Sequence, residues 1–379
     1  MPAPFADATA PLVAAFNREH RDLRIAVTRG PLDTEALSDL AISSLLLGDT
    51  PYDLLLMDVT WTPKYAAAGW LEPLEPLLGD DALAGMAPGA QLGNAFDGHL
   101  WRLPLLADMG LLYWRTDLME RPPRSLQELQ ATASDLQRRG VVPWGYVWQG
   151  RQYEGLSCVF LEVLRDFGGN WLRPGDDRQA DLDSPEAIAA AGWLAGLVRS
   201  GVTPEAVANV SESESLQIFG AGQAAFMRNW PYAWAELQKP GSAVAGRVGV
   251  MSLGDGTQGS WGFSMLRGSE HPQQAAEVMR WFISEPTSRD LALRYGYTPV
   301  WQSLLNDDAL QAQLPLLPVL RQALERTALR PLTPLYAQLS DVLQRQLSEL
   351  ITGSGRPQAA MAEAQRQSEL ILRAAAPGA

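Results

Sequence analysis

The chain has 379 residues, 46% apolar and 19% charged, and its 30 basic against 43 acidic side chains give a formal net charge of −13. That length corresponds to about two domains at ~150 residues each, with enough apolar residues for a sizeable core, which excludes intrinsic disorder, collagen and disulfide scaffolds. No Lys/Arg cluster interrupts the acidic balance, so neither nucleic acid nor an anionic membrane surface is an expected partner.

Apolar runs such as 45–47 and 314–320 fall far short of the ~20 residues a membrane span needs. No charged-then-apolar export signal opens the chain. In chain order, residues 10–21 have helical spacing, and 23–27 alternate as a strand does. Residues 35–47 read as a helix stopped by Gly48 and Pro51. The continuous apolar run 53–57, ending at Asp58, predicts a strand covered on both faces. This alternation argues for an α/β protein with mostly parallel sheets.

Residues 100–104 and 111–114 read as strands around 107–110. A helix over 125–139 has Ser125 as its cap and Glu128 at the capping-box position. Residues 141–148 are strand-like and 153–167 helical. Ser184-Pro185 opens a helix that runs to Arg199 and stops at Gly201. Residues 224–227 form a short strand running into Arg228-Asn229-Trp230-Pro231-Tyr232. Residues 248–250 lead into the glycine-rich 254–262, which reads as a connection between lobes. From Pro272 helices dominate, over 272–285, 287–295, 305–327, 333–350 and 357–373, before a frayed tail at 374–379.

No Gly-x-Ser-x-Gly elbow, His-Glu-x-x-His pair or P-loop is present. His20, His99 and His271 lie far apart, so no metal site is expected. Cys158 is the only cysteine and reads as a small core residue. Thirteen tryptophans accompany nine tyrosines and nine phenylalanines, and core packing accounts for about half of the tryptophans, because indole is rarely fully buried. Four stretches combine aromatic with acidic, amide or turn residues: 58–61, 148–154, 229–232 and 260–263. Aromatic faces stack on the C–H faces of a pyranose ring, while carboxylates and amides accept from its hydroxyls. Paired carboxylates also suit glycoside hydrolysis, leaving an enzyme using Asp58 or Asp108 with Glu154 as the alternative. A binding protein for a polyamine or peptide is a further one.

At these residues the chain resembles a known family. The run 52–74 (YDLLLMDVTWTPKYAAAGWLEPL) is similar to the signature of extracellular solute-binding proteins of carbohydrate ABC importers, of the type that binds trehalose, maltose, sucrose or glucosylglycerol. Similar blocks follow in family order at 101–104, 108–113, 152–156 and 330–336. The resemblance implies two α/β lobes, each a mostly parallel sheet flanked by helices, closing on a sugar in the cleft between them. The lobes are expected at 1–107 plus 260–305 and at 108–259 plus 306–379. By the same resemblance Asp58 and Asp108 accept from hydroxyls, while Trp61, Trp230, Tyr232 and Trp261 stack. Gly262 offers its backbone, Arg330 reaches in from the helical tail, and Tyr153 and Glu154 contribute from the second lobe. The family opens with an apolar strand and a ligand-contacting loop; this chain opens Met1-Pro2-Ala3-Pro4-Phe5-Ala6-Asp7, so the strand is shortened and Asp7 is the residue assigned to that loop. The expected protein is a periplasmic or extracytoplasmic, non-catalytic monomer without cofactor or metal. Its expected partners are a small α-glucoside and the permease subunits of an ABC importer.

Overall fold

Sheet-forming and helical stretches are distributed over two units in the computed structural model, which describes residues 1–31, 33–47, 52–353 and 355–374. The first unit comprises Met1–Ala107 and Gly259–Leu317, the second Asp108–Gln258 and Pro318–Ala379. Residues 306–317, expected from the sequence in the second lobe, cluster with the first unit. Asp307 explains this: it pairs with Arg289 of helix Glu285–Tyr295 and caps helix Asp308–Gln313 by accepting from Leu310 N at 2.6 Å.

Among the described residues the strands run in chain order as β1 (Leu54–Asp58), β2 (Ala95–Phe96), β3 (His99–Leu100), β4 (Leu103–Met109), β5 (Leu111–Arg115) and β6 (Trp144–Val147), then β7 (Leu172–Arg173), β8 (Asp176–Ala180), β9 (Ala224–Asn229), β10 (Val248–Met251) and β11 (Gln258–Met265). One sheet has the order β1-β11-β4, with β1 antiparallel to β11 from Leu54↔Met265 to Asp58↔Trp261. The other has the order β10-β5-β9-β6; β5 is antiparallel to both β10 and β9, and only β6/β9 is parallel. The second sheet is therefore mixed and the β1/β11 pair of the first is antiparallel, where the helix–strand alternation suggests mostly parallel sheets. Parallel neighbours need a long crossover, and between β6 and β9 the chain supplies one, containing helices Glu154–Asp166, Pro185–Arg199 and Glu212–Gly220.

In the first unit α1 (Ala3–Glu19) begins well before residue 10, and α2 (Thr34–Leu46) is capped by Asp33, whose Oδ1 accepts from Glu35 N and Ala36 N at 3.0 Å. Residues 23–27 form no strand. Instead the Asn17 side chain takes both backbone groups of Ile25, accepting from its N at 2.8 Å and donating to its O at 2.9 Å. Gly48 and Pro51 lie outside the described residues, as do 375–379 of the expected tail.

Locally encoded helix ends in the second unit hold. Ser125 and Ser184 accept from Glu128 N and Ala187 N, opening helices Leu126–Arg138 and Pro185–Arg199. The core between helices and sheet includes Leu129, Leu156, Phe160, Leu194, Leu343 and Leu347. Trp148 is wholly buried there, with Nε1 donating to Thr203 Oγ1 at 3.1 Å, so it belongs to the core and not to an aromatic ligand site. Cys158 is buried too, and burial pushes its thiol pKa up. Two readings change elsewhere. The glycine-rich 254–262 is in its second half part of β11, and 305–327 is broken into Gln302–Leu305, Asp308–Gln313 and Leu317–Leu324 by the Asp307 cap and Pro315. No helix among the described residues is long and apolar enough to cross a membrane.

Candidate functional site

In the second unit β9 carries the chain into Trp230-Pro231-Tyr232, and the turn is held from two sides. Asn229 Oδ1 accepts from Trp230 N at 2.8 Å, and Tyr113 Oη donates to Trp230 O at 2.7 Å. Glu212, the first residue of helix Glu212–Gly220, bridges two rings. Its Oε1 accepts from Trp230 Nε1 at 3.1 Å and its Oε2 from Tyr153 Oη at 2.7 Å. Both rings remain partly exposed. Burial and the Glu212 charge hold the Tyr153 pKa well above its usual value, so its hydroxyl stays a donor.

Beneath Trp230 lies Arg228, its guanidinium carbon 3.9 Å from the ring centroid; Arg151 sits 4.4 Å over Tyr153. Such contacts contribute ~0.5–2 kcal/mol each. Arg228 is itself buried, donating to Glu162 through Nε at 3.0 Å and Nη2 at 2.5 Å. Burial penalises the Arg228 charge, but the Glu162 carboxylate outweighs this and keeps its pKa raised. The pair packs against Gly110: a Cβ there would stand 1.8 Å from Glu162 Oε1 and 2.4 Å from Arg228 Nη2.

Glu154 and Arg330 meet within the same unit, facing each other. Glu154 Oε1 accepts from Arg330 Nη1 at 2.7 Å and from Tyr336 Oη, while Oε2 accepts from Ser340 Oγ at 2.8 Å; Arg330 Nη2 donates to Gln258 O at 3.1 Å. The carboxylate thus accepts three hydrogen bonds, one of them from a cation. Tyr232 begins helix Ala233–Leu237 and is half-buried, and Asp108 lies buried inside β4, not in a turn between strands.

In the first unit Asp58 ends β1 and caps the single turn Val59–Trp61, its Oδ1 accepting from Thr60 N at 2.9 Å and Thr60 Oγ1 at 2.7 Å. That turn presents Trp61, which stacks on Tyr65 at 6.0 Å and meets the edge of Trp261 at 5.6 Å between centroids. Phe5 joins Trp261 at 5.2 Å. Asp7, by contrast, forks onto Arg29 (2.8 and 2.9 Å) on the surface of α1, both side chains 60% exposed.

Gly262 is buried in the ladder opposite Met57, and its lack of a side chain has a packing cause. A Cβ would lie 2.6 Å from Leu103 O and 2.8 Å from Arg102 Nε. Arg102 is fully buried there, donating to Asn94 Oδ1 and Ser260 Oγ at 2.5 Å. Gly262→Ala is expected to destabilise the fold by about 1–3 kcal/mol through overpacking, read as a lower midpoint in urea unfolding.

Sequence reading missed Glu212, Arg228 and Glu162. Glu212 is disguised by the capping box beside it, in which Glu214 Oε2 accepts from Ser211 N at 2.8 Å. Among the described residues no group of three or more His, Cys, Asp or Glu could hold a metal ion.

Comparison with known proteins gives this arrangement a lineage. A model of the bacterial extracellular solute-binding protein family matches residues 2–287. A probable ABC transporter-binding protein of Deinococcus radiodurans is 29% identical over 86% of this chain and 81% of its own. A maltotriose-binding protein of Pyrococcus abyssi is 25% identical over 79% of this chain and 65% of its own. The solved structure of maltose-bound T. maritima MalE3 superposes with a TM-score of 0.90 at 29% identity, covering 96% of both chains. The architecture is the two-lobe fold of periplasmic binding proteins, and the chain belongs to the bacterial extracellular solute-binding protein family.

Proposed function

We propose that the protein captures a small α-glucoside, of disaccharide size or glucosylglycerol, outside the cytoplasm and delivers it to an ABC importer permease. The observation that carries this reading is the Glu212 bridge: one carboxylate holds the polar ends of Tyr153 and Trp230, and Arg228 covers one face of the indole. The opposite indole face is the stacking surface, and ordering it in advance lowers the entropy cost of binding. Trp61, Trp261 and Tyr232 supply further aromatic surface, with Asp58 and Asp108 as hydroxyl acceptors. Arg330 and Glu154 act as a pair, the carboxylate orienting the guanidinium, and Asp7 and Gly262 are left out of the ligand set. The maltose- and maltotriose-binding relatives support a glucoside, and the hydrogen-bonded state of Glu154 supports binding over glycoside hydrolysis.

Isothermal titration with trehalose, sucrose, maltose and glucosylglycerol tests the proposal. At least one should bind with a Kd below ~100 μM, about −5.5 kcal/mol, and none should be consumed. Asp108→Ala is expected to weaken that binding at least tenfold, the ~1–3 kcal/mol of an unpaired hydroxyl, with melting measured alongside to exclude misfolding. No detectable binding to any of the four would sink the glucoside assignment; turnover of an aryl glucoside would restore the enzyme.

A further inference from the structure

The χ2 torsion of a tryptophan is broad, so neighbours decide the plane of its indole. Trp230 is constrained on two sides: Glu212 Oε1 accepts from Nε1 at 3.1 Å along one edge, and the Arg228 guanidinium covers one face at 3.9 Å. Glu212 sets where that edge lies, and Arg228 sets how far the ring tilts about it. Whatever orients Arg228 therefore decides the plane of the stacking face.

Every branch of the Arg228 guanidinium has an acceptor. Nε donates to Glu162 Oε2 at 3.0 Å, Nη2 to Glu162 Oε1 at 2.5 Å and Nη1 to Gln149 Oε1 at 3.2 Å. The fork onto Glu162 is the charged part of this set, and a planar cation paired at two points keeps its orientation. The two side chains are 2% and 14% exposed, which leaves little water to stand in for the carboxylate.

Glu162 is held in turn. Its Oε1 also accepts from Thr257 N at 3.2 Å, while Thr257 O accepts from Gly110 N at 3.0 Å and Thr257 Oγ1 donates to Cys158 O at 2.9 Å. Gln149, wholly buried, closes the network on its other side. Its Nε2 donates to Ser215 Oγ at 2.8 Å, and Ser215 Oγ donates to Glu212 O at 3.0 Å. The supports of the indole face and of the indole edge are thus joined beneath the ring.

Taking Trp230 as the stacking surface proposed above, we infer that Glu162 is a positioning residue for sugar binding, fixing the plane of the indole through Arg228 before the ligand arrives. Without its charge the buried guanidinium loses its counter-ion, and the ring loses the stop on its covered face.

Titration calorimetry with the tightest-binding glucoside compares the parent, Glu162→Gln, Trp230→Ala and the double variant. Glu162→Gln should weaken binding at least about fivefold, but less than about twofold when Trp230 is already alanine. A role in folding alone would weaken both backgrounds alike. Leu194→Ala, which opens a cavity elsewhere in the core on helix Pro185–Arg199, should lower Tm and leave affinity within about twofold. Near-UV circular dichroism without ligand gives a second readout, because an indole held at one angle contributes a signed band and a rotating one does not. The band removed by Trp230→Ala should be missing from Glu162→Gln as well. Glu162→Asp keeps the charge and draws it back by one methylene, and it should weaken binding in the same Trp230-dependent way; it carries both measurements should the glutamine variant not fold. Equal weakening with and without Trp230, parental affinity, or an unchanged Trp230 band each overturns the positioning role. Should none of the glucosides bind, the glucoside reading falls, and the dichroism alone decides whether Glu162 orders the indole.

Discussion

Replacing Trp230 by alanine is expected to weaken sugar binding by about 30–100-fold, some 2–3 kcal/mol, the range of a central aromatic contact. The loss has three parts. The stacking surface disappears, Glu212 loses the Nε1 donor it holds at 3.1 Å, and Arg228 loses the ring that covers it at 3.9 Å. Trp230→Phe separates them in part, because it keeps a six-membered ring in place of the indole while removing the pyrrole ring and its N–H. That variant should lose less than the alanine variant: about 0.5–1.5 kcal/mol for the hydrogen bond, plus the smaller stacking area. Titration calorimetry with the tightest-binding glucoside gives both numbers. An alanine variant that melts normally and binds within twofold of the parent would take Trp230 out of the ligand site.

Gly110→Ala should be strongly destabilising to the second unit. Its Cβ would stand 1.8 Å from Glu162 Oε1, a contact no real side chain tolerates. The carboxylate cannot easily swing aside. It is held by Arg228, and Oε1 also accepts from Thr257 N at 3.2 Å. Displacing it leaves a buried guanidinium poorly paired, which costs about 3–5 kcal/mol, or roughly 6–20 °C in Tm for a unit of this size. The contrasting variant is Gly196→Ala, within helix Pro185–Arg199, where a Cβ would meet nothing within 4 Å. There alanine should stabilise by ~0.5–1 kcal/mol, since glycine loses more backbone entropy on folding. Differential scanning calorimetry of the two variants should move in opposite directions; a melting point for Gly110→Ala within 2 °C of the parent (about 0.5–1 kcal/mol) would show that the buried pair is not rigid.

Helix ends and apolar periodicity were readable from the residues alone. Ser125 and Ser184 are caps because a hydroxyl reaches an amide three residues on, whatever the rest of the chain does. The 53–58 run became β1, and Asp58 and Trp61 share one short turn because Asp58 caps it. Tertiary structure decided what depends on partners distant in sequence. Residues 23–27 alternate like a strand, but a strand exists only through a neighbour's backbone, and among the described residues they form none. Why position 262 is glycine shows only once Leu103 and Arg102 are found packed against it. Glu154 and Arg330 lie 176 positions apart, and only the tertiary structure shows that they pair. Glu212 gives no local sign of its role, because the rings it joins lie 59 positions before it and 18 after. Caps and periodicity act over one turn of chain, whereas a binding surface is assembled by packing, which brings together side chains that sequence order leaves far apart.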